Sequence, residues 1–543
     1  MKLDVIFENA LFRTVDDARP TARRAGVWRG RIAALDDDLD GVTAHRVVDL
    51  GGATVVPGFH DAHQHFSMVG REKLQLDLSV SVAPTLEALL DAVAERVGRV
   101  PAGAWVIGNG YDQNKIGVHP TAQQLDRIAP EHPVWLVHTS KHMAVANSAA
   151  ARAAGFTGLD ALPDVPGGTV VRDRGVPTGL LQETAMNPVS AVLFPVPLPQ
   201  MAQALAAASE HCLAEGITSV TEPGIGGVGG LGSTRADLRA FQDARDSGLL
   251  RVRATVMPYI EALHDFGPIG GGENGFGLDL GLRSGLGDDW VRVGGVKIVS
   301  DGSLIGRTAA MCCDYHDAPG ERGYLRVDAG DLRSQIVGAH RNGWQVATHA
   351  IGDAALDVVL DAYAEAQRSF PRADTRHRIE HCAVASPGQV RRIVELGLIP
   401  VPQGRFVSEI GDGLLAAMGP ERAAGLYRMR TWVDAGVELP GSSDAPVVDS
   451  PPLWGLHDMV NRRTASGAPF VPSEALTAAQ ALRAYTHGSA YATHQEHVKG
   501  RIVPGLLADL AVLDRDPVAV AAEEIRDLRV LGTIVGGEIA YQV

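Results

Sequence analysis

The chain has 543 residues, 45% of them hydrophobic and 21% charged, which is enough apolar side chain for large buried cores and more length than one ordinary domain needs. Sixty-four acids against 49 bases give a formal charge of -15, and no basic run of the kind that tracks phosphates is present, which argues against nucleic acid as a partner. No segment is long and apolar enough to span a bilayer, the start Met1-Lys2-Leu3-Asp4-Val5 lacks an apolar signal core, and four cysteines without a Cys-x-x-Cys spacing suit neither a disulfide frame nor a zinc ribbon, so a soluble, cytoplasmic chain is expected, with no membrane partner.

Residues 3 to 50 alternate apolar and polar, with Arg29-Gly30 placed as a hairpin between Val27-Trp28 and Ile32-Ala33. The next apolar run, predicted as a strand over 53–59, leads into His60-Asp61-Ala62-His63-Gln64-His65. Alternate residues on a strand point the same way, so His63 and His65 are expected to approach one cation from one side, as a first-row metal with nitrogen preference requires. In a chain with 19 histidines, a close pair also arises without function. From Met68 to Pro199 the chain then inserts as many residues as a small domain, with strand candidates at Ala104–Gly108 and Pro133–His138. Because this insertion leaves beside His63 and His65, it is expected to cover the site and shape a substrate pocket, with Tyr111, Asp112 and His142 as substrate contacts or as ordinary packing and surface residues.

Further strands are predicted at 217–222, 251–258, 290–298, 345–349, 377–382, 398–402 and 437–440, separated by amphipathic helices at 202–215, 235–247, 331–341, 354–368, 387–396 and 421–434. That alternation predicts an α/β fold built on a (β/α)8 TIM barrel, in which reactive groups sit at the carboxyl ends of several strands. Lys297, His349, His381 and Asp444 fall at such ends. Each has an ordinary alternative: a lysine whose head reaches water, a histidine bonded to a backbone carbonyl, an aspartate capping the next helix. Five such strand ends in one chain argue for a shared site. Residues 506 to 541 alternate again, with Gly536-Gly537 as a two-residue hairpin, and neither terminal piece can bury a sheet face alone. The expected organisation is a small composite β-sandwich from 1–52 and 486–543, a barrel from 53–67 and 200–485, and an insertion over 68–199.

In these residues the chain resembles the amidohydrolase superfamily: a His-x-His after strand one, a lysine on strand four, histidines on strands five and six and an aspartate after strand eight. More narrowly, Lys297-Ile298-Val299-Ser300-Asp301-Gly302, His349-Ala350-Ile351-Gly352-Asp353 and Gly441-Ser442-Ser443-Asp444-Ala445-Pro446 are similar to the amidohydrolase-3, YtcJ-like branch. The resemblance extends over essentially the whole chain. It implies a divalent metal held by His63, His65, Lys297, His349, His381 and Asp444, with two zinc ions expected and manganese or iron as alternatives. It also implies that Lys297 is N6-carboxylated, bridging two ions, whereas in a one-metal site it stays an ordinary lysine. Asp444, Lys297 and His381 are the expected catalytic residues. Asp301 and Arg307 are expected either to meet the substrate or to order their loop as an Asp-Arg pair.

The activity implied is metal-dependent hydrolysis of carbon-nitrogen, amide-like, non-peptide bonds in a small molecule, with Asp444 as general base. A mononuclear deaminase and a non-catalytic binding or regulatory member of the superfamily are the rival readings. A homodimer is the oligomer the resemblance favours.

Overall fold

The computed structural model describes residues 2–227, 233–270 and 273–543. They form two compact units, one of residues 2–66, 209–227, 235–270 and 273–543, the other of residues 67–208 with 233 and 234. The architecture is mixed α/β.

In the first unit the N-terminal strands Leu3–Glu8, Ala25–Trp28, Arg31–Leu35 and Ala44–Asp49 make a four-stranded sheet. Arg29 and Gly30 both take positive φ, 49° and 75°, the geometry of the tight hairpin expected there. A second sheet has six strands in the order Glu538–Gln542, Val530–Val535, Leu510–Leu513, Thr54–Pro57, Leu11–Arg13 and Thr21–Ala22. Residues from opposite ends of the chain thus share one sheet, with Val55 opposite Val512, and Phe7, Phe12 and Val55 share a buried cluster with Leu510 and Ile534. Gly536 and Gly537, at φ 58° and 81°, turn the C-terminal hairpin.

The run expected as one strand over 53–59 is divided. Thr54–Pro57 belongs to the six-stranded sheet, and Phe59–Asp61 pairs in parallel with Ile217–Ile225. The break falls at Gly58, whose N–H reaches Asp509 O at 2.8 Å, while the Phe59 N–H turns to Gly216 O at 3.0 Å. Proline 57 has no N–H to offer either ladder.

Two four-stranded parallel sheets follow. One runs Phe59–Asp61, Ile217–Ile225, Arg253–Pro258, Val291–Val293, and the other Val296–Val299, Val346–Ala350, Arg378–His381, Ile399–Val401. Ile217–Ile225, Arg253–Pro258 and Arg378–His381 are buried at every residue, the pattern of strands covered on both faces. The strand expected over 290–298 divides at Gly294-Gly295, where Gly294 N–H bonds Val256 O at 2.7 Å and Val296 N–H bonds Gln345 O at 2.8 Å. Parallel bridges join Tyr259 to Lys297 and Gln403 to Ser442. No regular strand forms at 437–440; that segment is held through Ser442 and through Ala62 N–H to Gly441 O at 3.0 Å. Helices Asp237–Asp246, Ala329–Arg341, Asp353–Ser369 and Pro387–Glu395 lie where the sequence places them, whereas 421–434 is broken into the end of Gly411–Arg422, a 3-10 turn at Ala423–Gly425 and the short Arg430–Asp434.

The second unit is a six-stranded sheet in the order Gly168–Asp173, Val176–Glu183, Met143–Ala146, Val134–His138, Val106–Tyr111, Leu76–Asp77. Helices Leu86–Val97 and Ala122–Ile128 pack Leu89, Val93 and Leu125 against Val106, Val134 and Leu136. Among the described residues no single helix is long and apolar enough to cross a membrane.

Within the first unit a buried ion pair ties the C-terminal segment to the parallel strands. Arg253 donates to both Asp509 oxygens at 2.6 and 3.0 Å, both side chains are 4% exposed, and Asp509 also accepts the Gly536 N–H at 2.8 Å. Asp509→Ala is expected to lower the unfolding free energy by about 3–5 kcal/mol, since it leaves the guanidinium buried without its counter-charge. The double variant Arg253→Met/Asp509→Leu should recover most of that loss. Denaturant midpoints measure both, and equal losses in the two variants would mean the charge pairing is not what holds this contact.

Candidate metal centre

Three side chains from two segments far apart in the chain meet: one ligand atom each from His63, His65 and Asp444 lies within 4.8 Å of the others, and all three are buried. Asp444 Oδ1 stands 3.4 Å from His63 Nε2 and 3.3 Å from His65 Nε2. The convergence does not come from strand alternation, as the spacing suggested, because the strand ends at Asp61 and both histidines lie beyond it. It comes from hydrogen bonds that splice residues 61–65 to 441–445. Asp444 N–H donates to His63 O at 2.7 Å and His65 N–H to Ala445 O at 2.8 Å. The Asp61 carboxylate accepts from the Ser443 hydroxyl at 2.6 Å and from the backbone N–H of Ser443 and His63 at 3.1 Å. Burial raises this carboxyl to about 7 against those hydrogen bonds.

The His63 ring is oriented by Glu380. Its Nδ1 bonds Glu380 Oε2, and Glu380 is in turn gripped by Arg378, Nε to Oε1 at 2.7 Å and Nη2 to Oε2 at 2.9 Å, while the same Nη2 also donates to Ala62 O at 2.7 Å. Burial works against the Glu380 carboxylate, but Arg378 and His63 hold it well below the usual range. Burial brings the His63 ring down to about 4, with the Lys297 charge acting in the same direction. The ring is therefore neutral near pH 7, its proton on Nδ1 toward the carboxylate and its Nε2 lone pair toward Asp444. Burial pushes the Asp444 carboxyl up, yet His65, His63 and His381 keep it well below the ordinary value, so it is ionised. Neither His63 Nε2 nor Asp444 Oδ1 has a hydrogen-bond partner. Two buried lone pairs facing one another repel and are costly unless something positive lies between them. A divalent cation fits this donor set of imidazole nitrogen and carboxylate oxygen, and a carboxylate behind a ligating imidazole is the arrangement that fixes its tautomer.

His381 and His349 adjoin this group. The His381 ring lies 5.1 Å from that of His63 and 4.5 Å from that of His349. Gln403 Oε1 takes the His381 Nδ1 proton at 2.8 Å, leaving Nε2 as the ligating face. His349 Nε2 bonds Gly302 O at 3.0 Å, so Nδ1 is its remaining nitrogen. Lys297 is 3% exposed; burial lowers its ammonium to about 8 while the Glu380 and Asp444 charges oppose the change. His381, Cys382 and Asp444 all have positive φ, 69°, 45° and 65°, a strained backbone that turns the side chains out of strand alternation, as functional sites often require.

Asp301 is fully buried and accepts the backbone N–H groups of Ala310, Ile351 and Gly352 at 3.0, 3.1 and 2.8 Å, with its Oδ1 3.3 Å from His349 Nε2. Arg307 forks onto Asp317 rather than onto Asp301, with Nε to Oδ1 at 2.8 Å, so the expected Asp-Arg pair does not form. Tyr111, Asp112 and His142 belong to the second unit. Tyr111 is buried against His119 at 3.1 Å, Asp112 caps a short helix through Asn114 N–H at 2.9 Å, and His142 is exposed and paired with Glu183 at 3.0 Å. Glu380, Arg378, Gln403, Asp61 and Ser443 were not singled out from the sequence. The signal for the first two was present: an arginine and a glutamate two apart on an apolar strand share one face.

Glu380→Gln tests this arrangement. It is expected to weaken divalent-metal affinity by about 10- to 100-fold and to lower stability by about 3–5 kcal/mol through the stranded Arg378. Metal titration beside a denaturant melt measures both, and unchanged metal affinity would remove Glu380 from the centre.

A model of the amidohydrolase family, Amidohydro_3, matches residues 46–541. YtcJ of Bacillus subtilis (strain 168) is 30% identical over 501 residues, 91% of this chain and 90% of YtcJ. The N-substituted formamide deformylase of Arthrobacter pascens is 33% identical over 560 residues, covering 99% of this chain and 98% of that protein. The crystal structure of an uncharacterized metal-dependent hydrolase from Pyrococcus horikoshii OT3 superposes with a TM-score of 0.77 at 26% identity, over 95% of this chain and 99% of the other. The grouping of His63, His65 and Asp444 thus sits in a chain that matches one family model nearly end to end, and the protein is a member of the amidohydrolase family.

Proposed function

We propose that this protein is a metal-dependent hydrolase that cleaves the carbon-nitrogen bond of a small, non-peptide amide, and that its two parallel sheets close as a (β/α)8 barrel with the N- and C-terminal strands as an attached β-sandwich. The observation that carries the catalytic reading is the pair of buried, unpartnered acceptors, His63 Nε2 and Asp444 Oδ1, 3.4 Å apart. The Gln403–Ser442 bridge and the Ala62–Gly441 hydrogen bond support the closure. The name of the Arthrobacter pascens relative supports an N-substituted formamide or a similar amide as the substrate class.

His63, His65 and Asp444 would hold one divalent ion, zinc being the metal best suited to this set. His349, His381 and a carboxylated Lys297 would hold a second. Such ions lower the pKa of a water toward neutrality and polarise a carbonyl oxygen. The residues of the chain do the rest. Glu380 keeps the His63 proton on Nδ1, and Gln403 does the same for His381. Asp444, ionised and at the head of the cluster, accepts the proton released when water adds to the carbonyl carbon and passes it to the departing nitrogen, which leaves as a neutral amine. Lys297 is buried where an ammonium is poorly solvated, so its neutral amine is the form able to combine with carbon dioxide into a carbamate.

Purified protein is expected to carry close to two zinc, manganese or iron ions by mass-spectrometric metal analysis. Asp444→Asn should abolish turnover of N-formyl and N-acyl amines while retaining most of the metal, and full activity would remove Asp444 as the base. Lys297→Ala should lose metal and regain part of its activity with added short carboxylates or bicarbonate. If it keeps both ions and full rate, the carbamate is not used. A screen of N-formyl, N-acyl and cyclic amides identifies the substrate class, and release of ammonia from aminated heterocycles with a single bound ion would instead make the protein a deaminase.

A further inference from the structure

The amino ends of the same parallel strands carry a second polar site. Gly294, Gln345 and Thr375 precede the strands that end near the metal candidates, and around them lies a cavity of about 290 Å3 lined by Arg283, Ser284, Arg292 and Arg372. It adjoins a cavity of about 600 Å3 that shares Arg283, Gly343 and Arg372 and is walled by Phe266, Ile269 and Leu280.

Two of the arginines here are not neutralised by any described residue. Arg283 and Arg292 make no hydrogen bond or ion pair with any described residue, whereas most arginines of the chain are paired. Arg372 donates only to backbone carbonyls, those of His340 and Trp344 at 2.6 and 2.9 Å and of Gly343 at 3.0 Å. That contact closes the end of helix Ala329–Arg341 and accounts for Arg372 alone. Burial and the neighbouring Arg283 charge both lower the Arg372 guanidinium from its usual value. The one carboxylate among the described residues lining the smaller cavity, Asp374, is already forked by Arg376 at 2.7 and 2.9 Å. Acid is not scarce in a chain of charge -15, yet among the described residues lining this cavity it is confined to that one paired aspartate. Ser284 Oγ accepts the Gln345 N–H at 3.0 Å, which leaves its own hydrogen free to donate. At Gly343, φ 88°, a Cβ would come within 2.5 Å of Arg283 Nη1, so the glycine keeps the room in which that guanidinium lies. Beside the charges, Leu280 is 93% and Ile269 57% exposed, an apolar wall open to solvent.

We propose that this face binds a small organic oxyanion, a carboxylate or phosphate ester bearing an apolar group, with the oxyanion among Arg283, Arg292 and Arg372 and the apolar part against Phe266, Ile269 and Leu280. Guanidinium groups are suited to such oxygens because they offer forked, charge-assisted hydrogen bonds, and an apolar substituent covers wall that would otherwise stay in water. The site lies a strand length, roughly 13–16 Å, from the metal candidates and is independent of the reaction assigned to them.

Titration calorimetry on the full metal-loaded protein tests this, with phenyl phosphate, inorganic phosphate and benzyl alcohol as probes. Phenyl phosphate is expected to bind saturably at one site, more tightly than inorganic phosphate, with no binding by benzyl alcohol. The R283Q/R292Q variant should bind phenyl phosphate about tenfold more weakly or worse, with unchanged metal content and unfolding midpoint. L280S, which leaves the charges intact, should bring phenyl phosphate down to the level of inorganic phosphate. Equal binding of phenyl phosphate by the native protein and R283Q/R292Q, or none by the native protein, overturns the site. Benzyl alcohol binding as well as phenyl phosphate overturns the oxyanion requirement.

Discussion

The hydrogen bonds that splice residues 61–65 to residues 441–445 are the constraint on which the rest of the centre depends. Nearly 400 residues of sequence separate the two segments, and closing a chain of that length is entropically unfavourable unless many local contacts share the cost. Here the contacts are backbone to backbone, His63 O with Asp444 N–H and Ala445 O with His65 N–H, reinforced by the Asp61 carboxylate on Ser443. Because they involve main chain on both sides, they set the separation of His63, His65 and Asp444 before any side chain rotates. A metal would meet a set of donors already assembled, so that little ordering remains to be done on binding.

Charge is layered behind this clamp. Arg378 holds Glu380, Glu380 holds the His63 proton, and the His63 lone pair faces Asp444. Each group in the series satisfies the one behind it, and only the last pair is left with acceptors facing each other. A buried polar network is stabilising when every member is satisfied and costly when one is not, so the unsatisfied front of this one marks where a cation belongs. At the other end of the strands the imbalance has the opposite sign: Arg283 and Arg292 pair with no acid among the described residues, so one set of strands presents acceptors at one end and donors at the other.

Much of this was legible in the chain. The strand ends at Lys297, His349 and His381 and the loop at Asp444 could be read from apolar runs stopping at a polar residue, and helices such as Asp353–Ser369 from periodicity. The mixed strand of 53–59 was not, because apolar residues facing two different sheets look the same as those facing one; only the hydrogen bonds at Gly58 divide them. The strand expected at 437–440 failed for the reverse reason, since a single bridge at Ser442 suffices where neighbouring segments already fix the backbone.

The sequence by itself determined the donor types, their places at the ends of segments, the alternation of strand with helix and the net acidity, all local properties that a linear pattern can hold. Tertiary structure decided which donors meet, that Glu380 and Arg378 stand behind His63, that Asp301 is bound to backbone amides and that Arg307 turns to Asp317. Those outcomes depend on the spatial neighbours of each group, on its loss of water and on backbone strain at His381, Cys382 and Asp444. None of these is a property of a residue and its immediate neighbours in the chain.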